Sequence, residues 1–212
     1  MKFLFGSQNF GLDTPESDKD YMQFWYPSVG DLCKPIPHTK EAKQGDGSLV
    51  KHIDVRAIPG LFYKANLDTL QLLYSKKVED GGEVEAYFRQ YEHELSTINL
   101  PRLYFSVLGS ALNRYKTRKT KDLAHIIFGF KTLIQFEKQG FEDLRKCFEH
   151  NENHFYQSVR SGEYSDWIPV AKHYEELACK LGDRYKSQEP NDAFKAQMDN
   201  DFGMMVVRHL NK

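Results

Sequence analysis

The sequence predicts an α+β chain: a small mixed β-sheet head with flanking helices, followed by an all-α helical region. Three observations carry that prediction. Glycine and proline crowd the first sixty residues, with Gly6, Gly11, Gly30, Gly45, Gly47 and Gly60 beside Pro15, Pro27, Pro35, Pro37 and Pro59. Such punctuation suits short strands and loops. Strand-like runs lie among these residues. After Pro59 the apolar residues recur at helical spacing. The head is placed at 1–80 and the helical region at 81–212, with no internal repeat or low-complexity tract in either.

In chain order, Lys2 to Phe5 reads as a short strand, and Asp20 to Tyr26 as a second, aromatic-rich strand that stops at Pro27. Gln8 to Lys19 between them is a polar loop, and residues 28 to 48 read as a long mobile connection. Lys51 to Ala57 alternates as a third strand would. Leu61, Leu67, Leu70, Leu72 and Leu73 predict one or two short helices ending near Ser75, and Asp80-Gly81-Gly82 a turn. Val84, Phe88, Tyr91 and Leu95 then recur at three- or four-residue spacing. Further helices begin near Pro101, Thr120, Glu142, Ser165 and Asn191, with Gly140 and Gly162 as stops.

Composition excludes several classes of function. Lysine and arginine number 29 against 30 aspartates and glutamates, so neither a polybasic arm nor an acidic tail dominates. No run approaches the roughly 20 apolar residues of a membrane span. Met1 to Gly6 is too short an apolar run for a signal peptide. Cys33, Cys147 and Cys179 are odd in number and far apart, which fits a reducing, cytoplasmic compartment.

The chemistry-bearing constellation lies in the head. Gly6-Ser7 follows the first strand directly, and Asp18-Lys19-Asp20 leads into the second. Residues two apart on a strand point the same way, so Asp18 and Asp20 are expected on one side. Asp54, in the middle of the third strand, would join them if the two strands pair. Three like charges make a poor core. Their oxygens suit Mg²⁺, which leaves sites open for water and substrate phosphates. Gly6 would let a triphosphate approach the backbone, and Ser7 would offer its hydroxyl and amide.

The run from Gly6 to Tyr21, Gly-Ser-Gln-Asn-Phe-Gly-Leu-Asp-Thr-Pro-Glu-Ser-Asp-Lys-Asp-Tyr, resembles the motif of predicted nucleotidyltransferases of the DNA polymerase beta superfamily. The resemblance extends through Phe24 to Leu32, to Asp54, and to the Asn-x-x-x-Leu-x-Leu-Leu pattern of Asn66 to Leu73. It implies that Asp18, Asp20 and Asp54 are catalytic and bind Mg²⁺ (or Mn²⁺). Gly6 and Ser7 would hold the phosphates of an NTP, ATP foremost. The implied reaction moves a nucleoside monophosphate to an acceptor hydroxyl with release of pyrophosphate. The acceptor is an RNA, a protein or a small molecule, and no membrane or DNA-specific motif is present. The competing class is a non-catalytic nucleotide-binding or antitoxin-like module of the same fold.

In the helical region, Arg114 to Lys121 carries five basic residues in eight and no acid. It reads either as a phosphate clamp facing the cleft or as a solvated link between helices. Lys121 and His125 share a helix face. The resemblance implies that such a pair closes over the nucleotide, which makes Lys121 a candidate phosphate ligand. Cys147, His150 and His154 have the spacing of three zinc ligands without a fourth nearby. Arg118 to His125 and Arg145 to His150 match the loose Arg-x(4–6)-His pattern of HEPN ribonucleases, a spacing that chance supplies. Phe10 and Tyr21 flank the loop as candidates for stacking on a base, whereas Phe128, Phe130 and Phe136 read as core.

Overall fold

The computed structural model of the chain describes residues 1–14, 17–36, 39–45, 47–117, 119–148, 153–162 and 167–212. The head runs β1 (Lys2–Phe5), α1 (Ser7–Phe10), β2 (Asp20–Trp25), α2 (Val29–Leu32), β3 (Lys40–Lys43) and β4 (Leu49–Asp54). A 3-10 turn (Val55–Ala57), α3 (Ile58–Tyr63), α4 (Leu67–Leu70), a second 3-10 turn (Gln71–Tyr74) and β5 (Val78–Glu79) follow. The strands form one mixed sheet in the order β3-β4-β2-β1-β5. β2 pairs antiparallel with β1 and parallel with β4, while β3 and β5 add antiparallel edges.

The pleat divides the sheet's side chains between two faces. Phe3, Phe5, Met22, Phe24 and Ile53 enter the main core, while Leu4, Tyr21 and Val50 form a small separate cluster on the other face. The three expected strands are present, but the third runs Leu49–Asp54 and ends at Asp54, where Val55–Ala57, expected to continue it, forms a 3-10 turn. The region expected to be a long connection, 28 to 48, instead holds α2 and β3. β3 reads Lys-Glu-Ala-Lys, without an apolar side chain larger than alanine, and it pairs along the exposed rim of β4. Backbone pairing rather than burial makes it a strand.

The helical region comprises α5 (Gly82–Gln90), α6 (Glu92–Thr97), α7 (Leu100–Tyr115), α8 (Thr120–Lys138) and α9 (Leu144–Phe148). α10 (Asn153–Ser161), α11 (Ile168–Lys180), α12 (Gly182–Lys186) and α13 (Asp192–Leu210) complete it. The helix expected from Ser165 begins at Ile168, and 163–166 lie outside the described residues. Asn99 and Asn191 cap α7 and α13 by accepting the amides of Arg102 and Phe194 at 3.1 and 3.0 Å, satisfying donors that a helix start leaves open.

α8 is the central element, burying Ile127, Phe128, Phe130, Leu133 and Phe136 against α7, α9, α10 and α11. Packing runs on through residue 80. Phe88 of α5 lies 5.5 Å from Phe3 and 5.0 Å from Phe62 between ring centres. α13 returns to the head, where it packs on α3 and His209 stacks on Tyr26. Among the described residues no helix is long and apolar enough to cross a membrane.

Candidate active site

Phe5 pairs with Asp20 across β1 and β2, so the chain leaves β1 beside the Asp20 carboxylate. Gly6 turns there with φ 79° and ψ −155°, a conformation essentially confined to glycine. A Cβ at Gly6 would stand 2.9 Å from Oδ2 of Asp20. Ser7, buried, then opens α1. The turn is braced from below, where the amide of Gly6 donates to Oε1 of Gln71 at 2.8 Å. Asn9 donates to the Gln71 carbonyl at 3.1 Å and accepts the amide of Lys76 at 2.8 Å. Gln71, fully buried in the 3-10 turn after α4, is a positioning residue that the sequence did not single out.

Asp18 lies just before β2, its Oδ1 3.6 Å from where a Cβ of Gly47 would be. Among the described residues neither the Asp18 nor the Asp20 carboxylate accepts a hydrogen bond or closes an ion pair. Burial raises the pKa of Asp20. Lys121 and then Lys51 oppose that rise, while Asp18 and Asp68 add to it. Lys121 of α8, Lys51 of β4 and Asp68 of α4 therefore lie within electrostatic reach of the Asp20 carboxylate. Lys51 also pairs with Glu41 at 3.3 Å, whereas among the described residues Lys121 closes no ion pair.

Asp54 is not in this site. In the parallel β2–β4 register Asp20 stands beside Leu49, and Asp54 beside Trp25. Five residues of strand separate the two positions, about 16 Å. Asp54 also shares its face with Val50 and His52, opposite to that of Asp20. Its side chain is wholly buried and bound to Arg56, accepting Nη2 at 2.7 Å, Nε at 3.1 Å and the Arg56 amide at 2.9 Å. The expected convergence fails because the match of Asp54 to the third carboxylate does not fix strand register. Among the described residues no three His, Cys, Asp or Glu side chains come close enough to hold a metal together.

A cavity of about 80 Å³ lies between α4, α7 and α8, lined by Asn66, Asp68, Ser106, Ser110, Arg114 and His125. Burial, then Arg114, Lys121 and Arg160, push the imidazole of His125 down to about 3. His125 is thus neutral at physiological pH. Part of the basic run therefore faces the cleft. Arg114 is held by Asp122 at 2.9 Å, and Thr117 donates to the same carboxylate. Arg118 lies outside the described residues.

The polar loop is tied to the helical region by Arg160 of α10, which donates to the Leu12 carbonyl and, at 3.3 Å, to the Ser17 hydroxyl. The Ser17 hydroxyl also accepts the amide of Thr14 at 2.8 Å. Neither stacking candidate is free. Phe10 is buried 4.4 Å from Phe128, and Tyr21 is buried on the opposite face beneath Lys2. Of the zinc spacing, Cys147 is buried and His150 lies outside the described residues.

Two aspartates with unengaged oxygens suit Mg²⁺, which is commonly held by one or two carboxylates together with substrate phosphates and water. No family model, curated protein or solved structure matches the chain.

Proposed function

We propose that the chain is a metal-dependent nucleotidyltransferase, moving a nucleoside monophosphate from an NTP to an acceptor hydroxyl. The observation that carries this reading is the pair Asp18 and Asp20. Among the described residues neither carboxylate has a hydrogen-bond or ion-pair partner, and that of Asp20 packs so closely on the Gly6 turn that a side chain there would collide with it. Burial penalises the charge of Asp20, a cost that a cation bound between it and the exposed Asp18 would offset. Asp18 and Asp20 would hold Mg²⁺ or Mn²⁺, which when bound neutralises phosphate charge and lowers the pKa of a coordinated oxygen.

The chain's own groups supply the rest. Gly6 and Ser7 receive the phosphates, and Lys121 places a positive charge where pyrophosphate departs. With Asp54 elsewhere, Asp68, an acid within electrostatic reach of Asp20, would take the acceptor proton as the acceptor oxygen bonds to the α-phosphorus. The bond from that phosphorus to pyrophosphate breaks in the same step, and the proton passes on to water. Positioning supplies most of the catalysis.

One observation favours a second reading. Leu49 occupies the β4 position beside Asp20, where a third strand carboxylate would complete the acid set. A chain with two acids would bind metal and nucleotide without transferring. The test is label transfer from each of four NTPs with Mg²⁺ or Mn²⁺, offered total RNA, lysate protein or small hydroxyl compounds. Transfer by wild type, lost in Asp20→Asn and reduced at least about a hundredfold in Asp68→Asn, supports the enzyme. Metal-dependent NTP binding without transfer to any acceptor supports the binding module.

A further inference from the structure

The opposite face of the sheet carries a second cavity, of about 370 Å³, which the acid pair does not reach. Trp25, Lys34, Lys40, His52 and Arg56 line it, with Asp31 on one side. Four of these six side chains are cationic or can become so. Asp31 engages Lys34 at 3.1 Å, and hydrogen bonds from the Ser28 hydroxyl and from Lys34 hold its carboxyl down to about 2. Asp54 clamps one edge of the Arg56 guanidinium and leaves Nη1 without a partner among the described residues.

Lys40 and His52 are cross-strand neighbours of β3 and β4, and among the described residues neither side chain makes a hydrogen bond or ion pair. Among the described residues Trp25 stacks on no other ring. A buried carboxylate is thus used to fix a guanidinium in the wall of an open cavity, beside unpaired cationic groups and an unstacked indole. An anion attached to a planar ring satisfies each of these groups. The indole and guanidinium faces suit the ring, while Lys40, His52 and Nη1 of Arg56 suit a phosphate.

We propose that this cavity binds a nucleoside monophosphate group, either free or as the end of an oligonucleotide. It is separate from the acid pair and needs neither metal nor the transferase reading. The test is calorimetric titration of the full chain in EDTA with AMP, adenosine, inorganic phosphate and a 5′-phosphorylated triadenylate. Wild type and Asp20→Asn are expected to bind AMP alike. Lys40→Glu and Trp25→Leu, both at accessible positions, are each expected to weaken binding at least about tenfold.

Adenosine and phosphate alone should each bind at least about tenfold more weakly than AMP. Tighter binding of the triadenylate would identify a strand end as the source, and tighter binding of AMP a free nucleotide. The proposal is overturned if neither AMP nor the triadenylate binds, or if phosphate alone matches AMP. Loss of binding in Asp20→Asn with retention in Lys40→Glu overturns it too.

Discussion

A methyl group on Gly6 would stand 2.9 Å from Oδ2 of Asp20. That distance is below van der Waals contact, and the backbone there, at φ 79°, is one that side chains rarely adopt. Gly6→Ala therefore has two consequences. The strained backbone costs about 1–3 kcal/mol, read as a lower urea midpoint. The Asp20 carboxylate is pushed out of place, so metal-dependent NTP binding should fall at least about tenfold. Gly60→Ala, at an open helical position, serves as a control that leaves binding unchanged.

The same carboxylate sets a pH dependence. Burial raises Asp20 above its ordinary 3.8, against the pull of Lys121 and Lys51. The folded chain then binds more protons than the unfolded one between 3.8 and the raised value, so stability falls as pH rises through that window. Above it the penalty is fully present. Asp20→Asn should accordingly raise the melting temperature at pH 7 by about 2 °C, with the gain shrinking toward pH 4. Nucleotide binding needs the ionised form and must show an acid limb above 3.8. Lys121→Met, which removes the largest opposing charge, should move that limb to higher pH.

Much of the head was legible in its sequence. The limits of β1 follow from Lys2 to Phe5, and the Gly6-Ser7 turn falls beside Asp20 as its place after β1 requires. Local pattern carries this information because both groups belong to adjacent, paired strands. Asp54 shows where such reading stops. Its strand was correct, but register is decided by which side chains of two distant segments share a core. Here Ile53 goes to the core with Phe24, which sends Asp54 to the far face. Gln71 had one signal, a polar residue inside Leu70-x-Leu72-Leu73, yet its partner Gly6 lies 65 positions away. Asp68 and Arg160 reach the site through tertiary packing alone.

Arg160 joins the helical region to the loop that carries the acid pair. Its guanidinium serves the Leu12 carbonyl and the Ser17 hydroxyl, and burial lowers its pKa. Arg160→Met keeps the bulk of the stem and removes the donors. Hydrogen bonds from a charged donor contribute about 1.5–3 kcal/mol each, so the loop should open more often. Hydrogen exchange is expected to accelerate at Leu12 and at Thr14, whose amide is held by the Ser17 hydroxyl. The amides of α8 should keep their protection. The apparent KM for NTP should rise more than kcat falls, the mark of a residue that positions rather than reacts.

Asp54 and Arg56 separate the sequence expectation from the structural one most sharply. A metal ligand can be removed with the fold intact, whereas a buried half of an ion pair cannot. The Asp54 side chain is 0% exposed and that of Arg56 17%. Asp54→Ala would strand the guanidinium and uncap the 3-10 turn that leads into α3. The guanidinium can still reach water through the cavity it lines, so the loss is that of charged hydrogen bonds and a cap, about 1.5–3 kcal/mol, and the urea midpoint should drop. Asp54→Ala combined with Arg56→Met removes both charges, and it should recover much of that loss because no uncompensated charge remains. At a temperature where the double variant is folded, metal-dependent NTP binding at the acid pair should match wild type. Loss of that binding in the folded double variant would return Asp54 to the metal site and refute the register argument.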